Sequence, residues 1–379
     1  MSLRLATLAF VSCLAACTNT ASITAGPTAP GHDREPDEAA QVDPLLSQSG
    51  IAHEVVAEAF LTTATPAENV DSPASWRAPS GQRWLIATGK ASDRLIVYDG
   101  VTGKTLRTVG GPGTAPGQMR RPNGIAVFDD LALVVERDNH RVQVFQLPDF
   151  KPLLVFGASE LVQPYGLWVR GQKDSLEVIV SDNYMSPHNE DLPPPLAELD
   201  QRFKRYQLQR VPGGWQAHRL GAFGDTTEAG AIRIAESVYG DVEHDRLLLA
   251  EEDVATGTRL REYALDGSYR RCQIGAGLFN GQGAGMAPYP RADGAGYWIA
   301  TDQFKDRSLF HVFDRITLEH VGAFAGRKTA NTDGVWLDQS GDARFPQGVF
   351  YAVDDDQAVA AFDWRDIASA LKLSPCNTK

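Results

Sequence analysis

Residues 83–110 read RWLIATGKASDRLIVYDGVTGKTLRTVG, and residues 131–157 read LALVVERDNHRVQVFQLPDFKPLLVFG. Both follow one plan. An apolar strand ends at a charged residue, a polar turn follows, a second strand ends in VY or VF, and a third closes on glycine. The plan recurs from Leu247 (LLLAEEDVATGTRLREYALDGSYRRCQIG) and from Tyr297 (YWIATDQFKDRSLFHVFDRITLEHVGAFAG). Weaker copies are LEVIVSDNY from Leu176, whose turn is expanded by MSPHNEDLPPPLAELDQ before FKRYQLQRV, and VFYAVDDDQAVAAFDW from Val349. Before each copy lies one more short strand: NVDSPASW at Asn69, RPNGIAVF at Arg121, QPYGLWV at Gln163, AESVYGDV at Ala235, GAGMAPYP at Gly283 and NTDGVWLD at Asn331. Four strands in a unit of about 50 residues, repeated six times, predict an all-β six-bladed propeller with four-stranded antiparallel blades. A β-sandwich is the alternative.

Composition agrees with this reading. The chain has 379 residues, 43% of them hydrophobic, with 35 glycines and 22 prolines. That is enough apolar material for one large core, and too much punctuation for a helical protein. The formal charge of −12 argues against nucleic acid, whose binders gain affinity by neutralising phosphates with Lys and Arg. It keeps an exported protein soluble equally well.

Ahead of the repeats, residues 2–17 read SLRLATLAFVSCLAAC: Arg4 as a minimal positive region, an apolar stretch too short to span a bilayer, then small residues before Cys17. Leu14-Ala15-Ala16-Cys17 resembles a bacterial lipobox. This implies a signal peptide over 1–16, lipidation of Cys17 and a cell-envelope location, with Thr18 directing the protein to the outer membrane. An ordinary signal cleaved near Ala16, giving a secreted protein, is the alternative. Residues 17–50, rich in Thr, Ala, Pro, Gly and charge, are expected to be a disordered tether, leaving the propeller at 51–375. Contact with a membrane is expected only through the lipid, and the chain is expected to be a monomer. Cys272 and Cys376 form a disulfide or remain two free thiols; neither has zinc-site spacing.

In a propeller the first strand of each blade lines the central channel, so polar residues at the strand ends converge at its mouth. They are Asp71 and Lys90, Asn123 and Arg137, Tyr165 and Asn183, Glu236 with Glu251 and Glu252, Asp302, and Asp333 with Asp354. Carboxylates beside cations suit calcium and phosphate, because hard oxygen ligands bind the metal while Lys and Arg neutralise the anion. The plainer reading is that Asp and Asn here satisfy turn backbone.

Over residues 50 to 372 the sequence resembles the β-propeller phytases, six-bladed calcium-dependent phosphatases that act on inositol hexakisphosphate. The segments that carry the resemblance are ENVDSPASW (68–76), LIATGKASDRLIVYDGVTGKTL (85–106), AESVYGDVEHDRLLLAEED (235–253), YWIATDQFKDRSLFHVFDR (297–315), NTDGVWLDQSGDARFPQGVFYAVDD (331–355) and WRDIA (364–368). The resemblance implies a 3-phytase-type phosphomonoester hydrolase with calcium as cofactor and a phosphorylated small molecule as partner. Asp71, Glu236, Glu252 and Asp333 then fall on metal-site positions, with Glu252 also catalytic. Lys90, Arg137 and Tyr165 fall on substrate-binding and catalytic positions, and calcium-assisted attack of water releases phosphate.

The departures from the family bear on that chemistry. Ser72 replaces a second aspartate, the third-blade lysine is replaced near Asp182 and Asn183, and the acidic element before the fifth blade falls on Gln282, Gly283, Ala284 and Gly285. A further aspartate is replaced near Arg327. Fewer carboxylates weaken a hard-cation site directly, and a fold outlasts such losses more readily than its reaction. The alternative is therefore a non-catalytic cell-envelope propeller that binds a ligand or protein; a propeller lactonase is a third reading, for which only the fold speaks. RPNGIAVFDDLALVVERDNHRVQVF from Arg121 also resembles an NHL repeat, which supports the architecture. Nucleophile-elbow and phosphate-loop motifs are absent from the sequence, and Gly275–Gly285 is not placed between a strand and a helix as a dinucleotide loop would be.

Overall fold

The computed structural model describes residues 43–188 and 192–374, and it is a six-bladed β-propeller. Cys17, the expected signal and most of the expected tether lie outside the described residues, as does Cys376. Blade 1 comprises Val70–Arg77, Arg83–Gly89, Arg94–Asp99 and Thr105–Gly110, counted from the channel outward. Blades 2, 3 and 4 repeat this order from Pro122–Phe128, Pro164–Gln172 and Ala235–Asp241. Blade 5 starts at Gln282–Pro290 and blade 6 at Val335–Asp338. In blade 3 the expanded turn holds a 3-10 segment, Leu196–Gln201. Among the described residues no helix is long and apolar enough to cross a membrane.

The second and third strands of each blade are Val/Ile/Leu/Ala-rich because both of their faces are covered by neighbouring blades. Leu85, Leu133, Val178, Leu248, Ile299 and Phe350 are fully buried, each contributing roughly 1.5–3 kcal/mol relative to exposure. The outer strand of blade 1, by contrast, is mostly exposed.

The ring closes through the N-terminal segment. Phe60–Leu61 adds the outer strand to blade 6, antiparallel to Ala358–Asp363, with Phe60 opposite Ala361. Ala59 N–H donates to Ala361 O at 2.7 Å and Thr62 N–H to Val359 O at 3.0 Å. Just before it, Glu54–Val55 lies parallel on the outer strand of blade 5. The expected tether is corrected at its end. Leu46 is buried among Phe304, Leu309, Ala323 and Ala325, and Leu46 N–H donates to Asp306 Oδ1 at 2.6 Å. The packed body therefore begins before residue 51, with Leu46 as its apolar anchor.

One irregularity repeats around the channel. In blades 1 to 5 the inner strand carries a bulge near its start: Val70 opposes Gly89 but Pro73 opposes Ala87, and Ala235 opposes Glu251 but Val238 opposes Leu249. Blades 2, 3 and 5 show the same slip at Pro122/Ile125, Pro164/Leu167 and Gly283/Met286. A bulge re-aims the side chain it contains. The residues so placed are Asp71, Asn123, Tyr165, Glu236 and Ala284, and Asp333 precedes the sixth inner strand at the same level. Each is followed by Gly or Ser, because the next blade's backbone crosses there. A Cβ on Gly166 would stand 2.6 Å from Glu236 O, and one on Gly334 2.6 Å from Asp71 O.

Candidate functional site

Two rings of side chains meet at one end of the channel. The inner ring is the bulge set. The outer ring follows the second strands: Lys90, Arg137, Asn183, Glu252 and Gln303. Lys90, Arg137, Asn183 and Glu252 hold their positions by donating a backbone N–H to Asn69 O, Arg121 O, Gln163 O and Ile234 O. Ser72, Tyr165, Gly166, Glu236 and Gly334 line the channel here, with Met286 and Trp336 further in.

The residues that end the second strands do something else. Asp182 accepts Gln163 N–H at 2.6 Å and Val162 N–H at 3.0 Å. Glu251 accepts Arg233 and Ile234 N–H, both at 2.9 Å, and Asp302 accepts Asn280 N–H at 3.0 Å and Gly281 N–H at 2.6 Å. Asp354 accepts Ala330 N–H at 3.0 Å. These carboxylates fasten the loop that enters their own blade, which corrects their grouping with the site: Glu251, Asp302 and Asp354 satisfy buried backbone donors.

Lys90, Asp71 and Asp333 come together. Lys90 Nζ lies 3.2 Å from Asp71 Oδ1 and 3.5 Å from Asp333 Oδ2. Ser72 Oγ donates to Asp71 Oδ2 at 2.8 Å. Gln303 Nε2 donates to Asp333 Oδ1 at 2.6 Å and to Asn331 Oδ1 at 3.1 Å. Asn331 in turn donates to Asp356 Oδ2 at 3.1 Å. Gln303 and Asn331 were not among the expected site residues; the register position of Gln303, one past a capping acid, is the signal that reveals it.

Glu236 and Glu252 complete the acidic side. Burial pushes the Glu236 carboxyl well above the ordinary range, and the negative charges of Glu252, Asp71 and Asp333 push it further, against Lys90. Asp71 is also raised, by burial first and by Asp333 second. Glu236 Oε2 is buried and accepts no hydrogen bond. Arg137 stands half-buried on blade 2, and its guanidinium makes no hydrogen bond or ion pair among the described residues. Asn123 is fully buried, with neither amide atom paired.

The structure thus brings Asp71, Lys90, Glu236, Glu252 and Asp333 into one electrostatic cluster, with Tyr165 beside it and Arg137 on the adjoining blade. Donor chemistry, all oxygen and acid-rich, suits a hard cation such as calcium, and the unpaired Glu236 Oε2 is an atom such a cation would satisfy. As folded, however, Lys90 is the counter-ion. Among the described residues no three acidic, His or Cys side chains stand close enough to hold one metal ion. Between Glu236 and Asp333 the inner ring carries Ala284, and the replaced positions Gln282 and Arg327 bring no carboxylate; Gln282 is buried and Arg327 exposed.

Comparison with known proteins agrees on the architecture. Residues 119–145 match the NHL repeat, as the Arg121 segment led us to expect. No curated protein matches the chain by sequence. Among solved structures, the Penicillium chrysogenum α-L-arabinanase complexed with arabinobiose is 9% identical, with a TM-score of 0.51 over 81% of this chain and 99% of that one. A calcium-binding protein, regucalcin, from Agrobacterium tumefaciens is 12% identical, with a TM-score of 0.48 over 82% and 95%. At such identities the likeness is one of fold alone.

Proposed function

We propose that the protein is a phytase-like phosphomonoester hydrolase acting on inositol hexakisphosphate or a similarly phosphorylated small molecule at the channel mouth. The observation that carries this reading is the Arg137 guanidinium, without a partner among the described residues, at the same end as Lys90 and the carboxylates of Asp71, Glu236, Glu252 and Asp333. Arg137 receives phosphate oxygens through its planar fork. Lys90 exchanges its bonds to Asp71 and Asp333 for a phosphate oxygen, and Tyr165 fixes the substrate against the channel wall. Glu252, beside the proton-avid Glu236, accepts a proton from the attacking water. Calcium, when bound, would supply charge neutralisation and polarisation of the phosphoryl oxygens; its candidate ligands are Asp71, Glu236, Glu252 and Asp333, which would have to close around the ion once Lys90 turns to phosphate, since no three of them now stand near enough to share one.

The test is phosphate release from inositol hexakisphosphate by the purified protein, with and without added calcium. Release that depends on calcium supports the reading. No release at any calcium level, together with no calcium-dependent change in melting temperature, overturns it.

A second reading is favoured by Ala284 and by Lys90 standing as counter-ion: a cell-envelope propeller that binds a phosphorylated ligand without hydrolysing it. Saturable binding by calorimetry with no phosphate release identifies that case. The lipid anchor at Cys17 belongs to either reading, and palmitate labelling that persists in Cys17→Ala overturns it.

A further inference from the structure

The third blade departs from its neighbours at the mouth. On blades 1 and 2 the residue after the second strand is a cation, Lys90 or Arg137. On blade 3 it is Asn183, 7% exposed, and its side chain turns toward blade 4. Asn183 Nδ2 donates to Ala235 O at 3.0 Å, and Ala235 N–H donates to Asn183 Oδ1 at 2.8 Å. The side-chain amide thus pairs with a peptide group as a neighbouring strand would, using both its donor and its acceptor. Both hydrogen bonds are buried, where an unmade one is costly.

Ala235 immediately precedes Glu236, at the start of the bulge. The strand pairing skips from Ala235 opposite Glu251 to Val238 opposite Leu249, so Glu236 and Ser237 have no partner of their own on the second strand. On the other side, the Glu236 carbonyl packs closely against Gly166 of blade 3, where a Cβ would stand 2.6 Å from its oxygen. Glu236 also carries a buried carboxylate that Glu252, Asp71 and Asp333 repel. A backbone with a bulge on one side and repulsion at its side chain needs a fixed point, and the Asn183 amide provides it.

We infer that Asn183 is a positioning residue: by clamping Ala235 across the blade 3 to blade 4 boundary it fixes where the Glu236 carboxylate stands in the mouth. The inference rests on the proposed role of Glu236 and adds to it the element that holds that residue in place. Asn183 itself touches neither substrate nor cation.

The experiment compares the wild-type protein with Asn183→Ala and Asn183→Asp. Amide hydrogen exchange at Ala235 reads the clamp directly. Calcium titration by calorimetry, and kcat and KM for phosphate release from inositol hexakisphosphate, read its consequence. Asn183→Ala is expected to lose protection at Ala235, to weaken calcium binding by about tenfold to a hundredfold, as for other groups that orient a ligand, and to lower kcat more than it raises KM. Asn183→Asp keeps the acceptor for Ala235 N–H and should recover part of the protection and of kcat. Wild-type calcium affinity and kcat in a folded Asn183→Ala protein overturn the positioning role while leaving the proposed reaction standing. If Asn183→Ala does not fold, Asn183→Asp and Asn183→Leu decide: reduced protection at Ala235 with unchanged kcat and calcium affinity overturns the inference, and reduced protection with lower kcat and weaker calcium binding supports it. A wild-type protein that neither binds calcium nor releases phosphate overturns the proposed reaction itself, and the positioning role with it.

Discussion

Lys90 Nζ stands 3.2 Å from Asp71 Oδ1 on its own blade and 3.5 Å from Asp333 Oδ2 on blade 6, so one ammonium group ties the first blade to the last. Asp71 is already raised by burial and by Asp333. Removing the cation leaves the buried Asp71 carboxylate facing the half-buried Asp333, a loss of up to about 3–5 kcal/mol when one partner of a buried pair is taken away. Lys90→Met, which keeps the apolar stem, should lower the melting temperature at pH 7. Acid should narrow the gap, because protonating Asp71 removes the orphaned charge. A gap that stays constant from pH 7 to pH 4.5 would mean that lost packing, not charge, is responsible.

Arg137 offers the opposite case. Its guanidinium has no partner among the described residues, so Arg137→Ala should change stability by no more than about 0.5 kcal/mol. Binding of inositol hexakisphosphate should nevertheless weaken by roughly tenfold, since a charge-assisted, bidentate contact to phosphate is lost. Parallel melting curves and calorimetric titrations check both halves. A large loss of stability without a loss of affinity would move Arg137 from the site to the scaffold.

The strand plan was legible in the sequence because each blade repeats the same local pattern: RWLIATG and LALVVE announce second strands by composition alone. Three features were not. The bulges that aim Asp71 and Glu236 depend on a count of residues between paired strands, and nothing in NVDSPASW or AESVYGDV marks the extra one. The closing strand, Phe60–Leu61, pairs with Ala360 and Ala361, some three hundred residues away and too short to carry a periodic signal. Capping is the third, since sequence alone could not separate Glu251, which accepts two loop amides, from Glu252 one residue later. Neighbouring acids on a strand point to opposite faces, and only the register says which face is the mouth.

Gly334 lies where the sixth blade meets the first, with its N–H donating to Asp71 O at 3.0 Å. A Cβ there would stand 2.6 Å from that oxygen and 2.6 Å from Ser72 Cα, both backbone atoms that cannot swing aside. Gly334→Ala should therefore cost about 1–3 kcal/mol, the usual range for forced overpacking, and displace Asp71 and Asp333 together. The expected signature is a lower melting temperature accompanied by weaker phosphate-ester binding. Stability at the wild-type level would show that the blade 6 to blade 1 junction can open without loss.

Asp354 supplies a pH dependence away from the proposed ligands. Burial, with Asp355 and Glu58 as lesser causes, pushes its carboxyl up to about 6, while it caps Ala330 N–H. A carboxyl raised in the folded state binds its proton more tightly there than in the unfolded chain. Its contribution to stability is therefore fully present below the ordinary aspartate range and is lost as pH rises through about 6. Asp354→Asn keeps an acceptor for Ala330 N–H but carries no charge. The substitution should leave the melting temperature nearly unchanged at pH 4. At pH 7.5 it should stabilise by on the order of 1–2 kcal/mol, since each unit of pKa shift corresponds to about 1.4 kcal/mol and partial exposure screens some of it. Equal effects at the two pH values would show that the Asp354 charge is not what the fold resists, and that its hydrogen bond to the loop entering blade 6 outweighs burial.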